Sequence, residues 1–164
     1  MNKTLLTIAV LGLLTLLTSA YYSAPADSRI GFKSPSLELG SDNNSLSPLM
    51  QHRGEIVLLT FWSSADAESR INNMHYDRLS RQDNVPFSHV SVNLDRNVSV
   101  FNSIVTIDNL DRTAHFSTSV EIQDDIMKAW RLDDGFHSFL LDGSGRIIAI
   151  DPDDNTLMSI DKGA

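Results

Sequence analysis

The sequence predicts an α/β protein with a central mixed β-sheet and helices on both faces of that sheet. Apolar runs of strand length alternate along the chain with segments whose apolar residues recur at helical spacing. The last two strand-like runs are joined by a Gly-Ser-Gly turn, which is typical of an antiparallel hairpin. The chain has 164 residues, enough for one domain with a substantial core.

The first half of the domain predicts a strand, a helix and a second strand. Residues 55 to 62 form an apolar run of strand length, and both faces of this strand should be buried. Residues 64 to 79 carry apolar side chains on one side and charged side chains elsewhere, as an amphipathic helix does. Residues 85 to 94 include valines in alternation, which indicates a strand.

The second half predicts two helices, a hairpin and a last helix. Apolar residues recur at helical spacing over residues 98 to 105 and again over residues 122 to 130. The hairpin strands are predicted over residues 138 to 142 and 146 to 150, and a short helix is predicted after Pro152. Helical crossovers between the early strands and a tight turn between the late ones imply a mixed sheet.

Residues 1 to 20 have the composition of a secretory signal peptide. One lysine precedes an apolar run from Leu5 to Leu17, and small residues follow as far as Ala20. The run is shorter than the roughly 20 apolar residues of a membrane span, so cleavage is expected, with an uncleaved membrane anchor as the alternative. Both interpretations place the rest of the chain outside the cytoplasm, in the periplasm or the extracellular space.

Residues 21 to 46 are interpreted as a linker and a leading segment. Proline, glycine and polar turn-forming residues are frequent there. Within this stretch, the sequence from Ser36 to Leu39 predicts a short strand. Residues 47 to 164 are assigned to the globular domain.

The composition excludes several classes of function. The formal net charge of −8 argues against nucleic acid as a partner, because phosphate binding needs a basic patch. The chain has no cysteine, which excludes disulfides, thiolate catalysis and cysteine-bound metals. No cofactor and no metal site are predicted, since the calcium-like spacing of Asp151, Asp153 and Asn155 has Thr156 where that loop requires glycine.

Three segments together resemble the thioredoxin-like superfamily, and most closely its bacterial envelope branch of the TlpA and ResA type. The sequence RGEIVLLTFWSS at residues 53 to 64, followed by a helix, is similar to the strand that leads into the active site of that branch. The sequence SFLLDGSGRIIA at residues 138 to 149 resembles its final hairpin, and residues 35 to 39 resemble its first strand. The resemblance covers most of residues 31 to 160.

The resemblance also identifies what this chain lacks. Active members carry a Cys-x-x-Cys pair where this sequence has Asp66 and Ser69, and a cis-proline where it has Phe136. We expect Asp66 to cap the helix that starts there, since a carboxylate is favourable at a helix N-terminus. We expect the peptide bond at Phe136 to be trans, because a cis bond without proline costs about 2.5–4 kcal/mol.

The resemblance therefore implies a thioredoxin-like domain without redox activity, whose remaining use is to bind a peptide or protein partner of the cell envelope. The predicted groove is bounded by Trp62, Ala65, Asp66, Phe136 and His137. Phe136 could instead be a buried plug, and His137 is expected to be a structural histidine satisfied by the backbone. Two other functions stay open: a non-thiol enzyme that uses Asp66 or His137 as acid or base, and a structural module of an envelope redox complex.

Because the chain has no sulfur nucleophile, we expect the purified protein neither to reduce insulin disulfides nor to reoxidise reduced ribonuclease above the buffer rate. The matched control is the double variant Asp66→Cys, Ser69→Cys. It should form an intramolecular disulfide under mild oxidation but stay a poor catalyst, because Phe136 replaces the proline. Thiol-dependent turnover by the unmodified protein would contradict the prediction.

Overall fold

The computed structural model describes residues 26–39 and 47–160. Their architecture is a five-stranded sheet with helices on both faces, which confirms the predicted fold class. The strands are β1 (Val57–Trp62), β2 (Ser88–Asn93), β3 (His115–Ser117), β4 (Ser138–Leu141) and β5 (Ile147–Ile150). The helices are α1 (Ala67–Ser80), α2 (Val98–Ile107), α3 (Val120–Trp130) and α4 (Asp154–Met158), and a 3-10 helix (Pro48–His52) precedes β1.

The sheet has the strand order β3-β2-β1-β4-β5, with β1 at its centre. β1 runs parallel to β2, and β2 runs parallel to β3, because a helical crossover returns the chain to the same end of the sheet. β4 runs antiparallel to both β1 and β5, as the short turn between β4 and β5 requires. The mixed sheet predicted from the order of elements is therefore present.

Every residue of β1 is buried, and its side chains alternate between two cores. Leu59 and Phe61 point to the face covered by α3, where Trp130 and Phe139 pack against Phe61. Leu58 points to the opposite face, in a cluster built with residues of α1 and α4. Since the two faces of the central strand must both be covered, the helices are divided between them.

Residues 26–39 of the leading segment pack against the folded body. Leu37 is 1% exposed and lies in the largest core cluster. The backbone of Phe32 accepts a hydrogen bond from the amide of Ile147 in β5 at 3.0 Å. Residues 26–39 therefore pack on the same core as residues 47–160.

The strand predicted from Ser36 to Leu39 is wrong. The segment makes one isolated bridge, between Lys33 and Arg146, and then leaves β5. Pro35 has no amide hydrogen to continue the ladder. The carbonyl of Leu39 instead accepts from the amide of Ser119, ahead of α3.

Helix and strand boundaries differ from the predicted ones for local reasons. α1 starts at Ala67 and not at residue 64, because the capping residue stands at position 66. β2 starts at Ser88, after Pro86, which cannot donate to a sheet ladder. β3 was not predicted, since three residues are too few to show an alternating pattern.

The predicted signal peptide or anchor at residues 1 to 20 lies outside the described residues. Within residues 26–39 and 47–160, no helix has both the length and the apolar character needed to cross a membrane.

Truncation of the buried leucine of the leading segment tests whether this segment is part of the domain. Leu37→Ala is expected to lower the free energy of unfolding by about 2–5 kcal/mol, because it leaves a cavity in the core. Ile30→Ala is the matched control, since Ile30 is 59% exposed in the same segment. Urea denaturation measures the free energy of unfolding of both variants. Equal small losses of stability would show that the segment contributes no side chain to the core.

Candidate functional site

The candidate site lies where β1 ends and α1 begins, at Asp66 and Ser69, which the resemblance aligns with the reactive pair. Asp66 is extended, with φ −101° and ψ 111°, and Oδ1 of its side chain accepts from the amide of Ser69 at 2.7 Å. This confirms the predicted helix cap. Hydrogen bonding from Ser69 lowers the pKa of Asp66 below its usual value.

Ser69 is equally committed to structure. It is 5% exposed, and its hydroxyl oxygen accepts from the amide of Ser63 at 3.3 Å. The hydroxyl also lies 3.3 Å from the carbonyl of Asp66. Asp66 and Ser69 therefore both hold the loop and the first turn of α1 together.

Asp95, which follows the carboxyl end of β2, holds this junction by hydrogen bonds to the loop between β1 and α1. Its Oδ1 accepts from the hydroxyl of Ser63 at 2.6 Å and from the amide of Ser64 at 3.0 Å. Its Oδ2 accepts from the side chain of Asn93 at 3.0 Å. Burial opposes ionisation, but these hydrogen bonds outweigh it and lower the pKa of Asp95.

Asp95 was missed by the sequence analysis, although a signal was present. A polar residue directly after a buried strand lies at the carboxyl edge of a parallel pair, where loops of neighbouring strands meet.

The loop before β4 faces the junction. The carbonyl of His137 accepts from the amide of Phe61 at 3.1 Å, which extends the pairing of β1 with β4 and sets this loop beside the end of β1. Phe136 is half-buried and packs on the largest core cluster. The described residues contain no cis peptide bond, so the expected trans bond at Phe136 is confirmed.

His137 is held by carboxylates, and the expectation that the backbone satisfies it is wrong. Its Nδ1 lies 2.6 Å from Oδ2 of Asp151, and its Nε2 lies 3.5 Å from Oδ1 of Asp134. The other oxygen of Asp151 accepts from the amide of Ser138 at 2.8 Å, which fixes the carboxylate. Burial opposes protonation of the ring, but the two carboxylates outweigh it and raise the pKa of His137.

Only four of the five predicted groove residues offer surface. Trp62 is 0% exposed and packs against Phe101 of α2, so its assignment to the groove wall is corrected to the core. The reason is the alternation of β1, which directs this side chain under α2. Ala65 and Asp66 are exposed, and Phe136 and His137 are half-buried. We call these last four residues the groove.

The strand order and the two layers of helices define a thioredoxin-like fold, and the predicted resemblance to that superfamily is thereby confirmed. A thioredoxin-like protein from Parabacteroides distasonis is 27% identical, with a TM-score of 0.65 over 77% of this chain and 90% of that one. No family model matches the sequence, and no curated protein matches it.

Two further structures share the fold at lower identity. A thiol:disulfide interchange protein from Bacteroides sp. is 18% identical, with a TM-score of 0.66 over 79% of this chain and 86% of that one. A putative thiol:disulfide interchange protein DsbE from Chlorobium tepidum is also 18% identical, with a TM-score of 0.58 over 74% of this chain and 84% of that one.

The carboxylates around His137 predict a pH-dependent contribution to stability. A histidine whose pKa is raised on folding stabilises the protein below its unfolded pKa of about 6.5, and the contribution is lost as pH rises through the folded pKa. His137→Gln should therefore lower the free energy of unfolding more near pH 6 than near pH 8.5. The difference should be at most about 1 kcal/mol, since the ring is partly exposed.

The measurement is urea denaturation of both proteins across that range, with Asp151→Asn as the matched control. Loss of this carboxylate should remove most of the same pH dependence. A difference between wild type and His137→Gln that stays constant with pH would contradict the assigned ion pair.

Proposed function

We propose that this chain is a redox-inactive thioredoxin-like domain of the cell envelope that binds a protein or peptide partner at the groove. The observation that carries the proposal is that hydrogen bonds fix the exposed junction between β1 and α1. Asp66 and Ser69 replace the reactive pair, yet the loop is tightly held by their hydrogen bonds and by those of Asp95. A rigid, exposed edge without chemistry is suited to recognition, because little conformational entropy is lost on binding.

The charges around the groove favour a basic partner. Asp66 and Glu68 are exposed on one side, and Asp133 is exposed on the other, beside Asp134, which lies 3.5 Å from Nε2 of His137. The formal net charge of −8 adds a long-range attraction for cations. Phe136 supplies a half-buried aromatic surface in the same loop as Asp133 and Asp134, so the proposed ligand is an extended peptide in which an apolar side chain is flanked by lysine or arginine.

The envelope location is proposed from the apolar N-terminal run and its small-residue end, which have the composition of a signal peptide. The partner is accordingly a protein or peptide of the periplasm or the outer surface. The redox-inactive state follows from the absence of cysteine in the sequence.

One observation favours the second candidate function, a non-thiol enzyme. Asp151 contacts Nδ1 of His137 at 2.6 Å, the arrangement by which a carboxylate orients a catalytic imidazole. Against it, Nε2 of His137 faces Asp134, and the carboxylate of Asp66 is committed to its helix cap. A binding role therefore explains more of the groove than an acid–base role does.

Peptide binding measured by fluorescence anisotropy tests the proposed function. Basic peptides with one central apolar residue should bind more tightly than acidic peptides of the same length. Added salt should weaken the binding of the basic peptides. Phe136→Ala should raise the dissociation constant of the tightest-binding basic peptide roughly tenfold, an effect in the range of an interface anchor. The melting temperature of this variant should change little. Ile148→Ala is the matched control, since Ile148 is 42% exposed on β5.

Two results would contradict the groove proposal. The first is that basic and acidic peptides bind with equal affinity, or that neither class binds. The second is unchanged binding by Phe136→Ala together with a stability loss of about 3–5 kcal/mol, which would make Phe136 a core plug and leave the structural module as the function.

A further inference from the structure

Three metal-ligating side chains converge in the interior, beneath α1 and away from the groove. Asp77 lies on α1, His89 on β2 and His115 at the start of β3. They are 0%, 6% and 4% exposed. One nitrogen or oxygen atom of each lies within 4.8 Å of those of the other two. Their sequence spacing matches no metal motif, so this cluster was not predicted.

The topology brings these residues together. Ser91 of β2 is in register with His115 of the parallel strand β3, and His89 lies two residues before Ser91, on the same face of the sheet. The rings of His89 and His115 meet edge to face, with their centres 5.6 Å apart. α1 covers this face, and Oδ1 of Asp77 lies 3.8 Å from Nδ1 of His115.

His89 supplies a buried donor atom without a partner. Its Nε2 lies 3.3 Å from the hydroxyl of Thr60, whereas its Nδ1 has no hydrogen-bond partner among the described residues. A buried polar atom left unpaired costs about 1–3 kcal/mol, so natural structures rarely keep one without a reason. An ion bound by this nitrogen would remove the cost.

The other two side chains are already oriented by surrounding groups. Nδ1 of His115 lies 2.8 Å from the carbonyl of Asp111 and donates to it, while Nε2 lies 3.2 Å from the side-chain amide of Asn73. A ring N–H donated to a carbonyl is the usual orienting contact of a metal-binding histidine, and it makes Nε2 the acceptor; an ion bound there would displace the hydrogen bond from Asn73.

The carboxylate of Asp77 is fixed on both of its oxygens. Oδ1 accepts from the amide of Asp111 at 2.9 Å, and Oδ2 accepts from Arg81. Each carboxylate oxygen retains a further lone pair after these contacts, so the carboxylate can still bind a cation.

We propose that Asp77, His89 and His115 form a three-ligand site for a zinc-like divalent transition-metal ion. Two imidazole nitrogens and one carboxylate oxygen suit zinc or cobalt, whereas calcium and magnesium take sets of oxygen ligands. Ligand atoms around a tetrahedral zinc lie about 3.3 Å apart, so small side-chain rotations would close the cluster. A bound ion would join α1 to β2 and β3.

The test is to refold the tag-free full chain from denaturant with zinc chloride or with EDTA, and to measure zinc retained after gel filtration. The wild type should retain stoichiometric zinc and melt at a higher temperature with zinc than with EDTA. Cobalt in place of zinc should give the visible absorption of a tetrahedral site. His89→Gln should lose retained zinc by roughly tenfold or more.

The matched control is His75→Gln. His75 lies on α1, as Asp77 does, but at the surface, where its Nε2 is 2.7 Å from Oδ1 of Asp154. This variant should retain zinc as the wild type does. The proposal is overturned if the wild type retains no zinc and gives no tetrahedral cobalt spectrum, or if wild type and His89→Gln retain equal zinc. Should His89→Gln fail to fold by circular dichroism, the wild-type zinc and cobalt measurements decide alone.

Discussion

The structure depends on the complete burial of β1, since all six of its residues are removed from solvent. A strand buried on both faces must be covered on both, and this requirement places α3 on one side and α1 and α4 on the other. Its backbone groups must also be paired where the strand ends. Phe61 donates to the carbonyl of His137, and the carbonyl of Trp62 accepts from the amide of Leu94. These two bonds bring the neighbouring loops to one edge of the sheet.

The junction at that edge is stabilised without any covalent link. The cap made by Asp66 is of a kind typically worth about 1 kcal/mol. The carboxylate of Asp95 accepts three hydrogen bonds from Ser63, Ser64 and Asn93, and such charge-assisted bonds are stronger than neutral ones. Asp66 and Ser69 thus serve the scaffold in this chain.

Features encoded locally could be predicted from the sequence, and features that join distant segments could not. β1 is a continuous apolar run, the final hairpin contains a Gly-Ser-Gly turn, and the cap at Asp66 depends on a residue only three positions away. By contrast, Asp151 lies 14 residues from His137, and no spacing rule connects them. The burial of Trp62 depends on α2, whose position over the sheet is set by tertiary packing. The three-residue strand β3 exists because β2 offers it an edge.

The two faces of the sheet differ in chemistry, and this difference explains why α1 has a defined position. The α3 face is packed with large apolar groups such as Phe61 and Trp130, whose hydrophobic contacts are non-directional. The α1 face instead buries polar groups that need particular partners. Asn73 accepts from the hydroxyl of Ser91 at 2.6 Å, and Asp77 accepts from the amide of Asp111. A displacement of α1 would leave these buried groups unpaired, at about 1–3 kcal/mol each. The polar interior therefore fixes the helix whose first turn follows Asp66, and the position of this exposed side chain depends on contacts buried along α1.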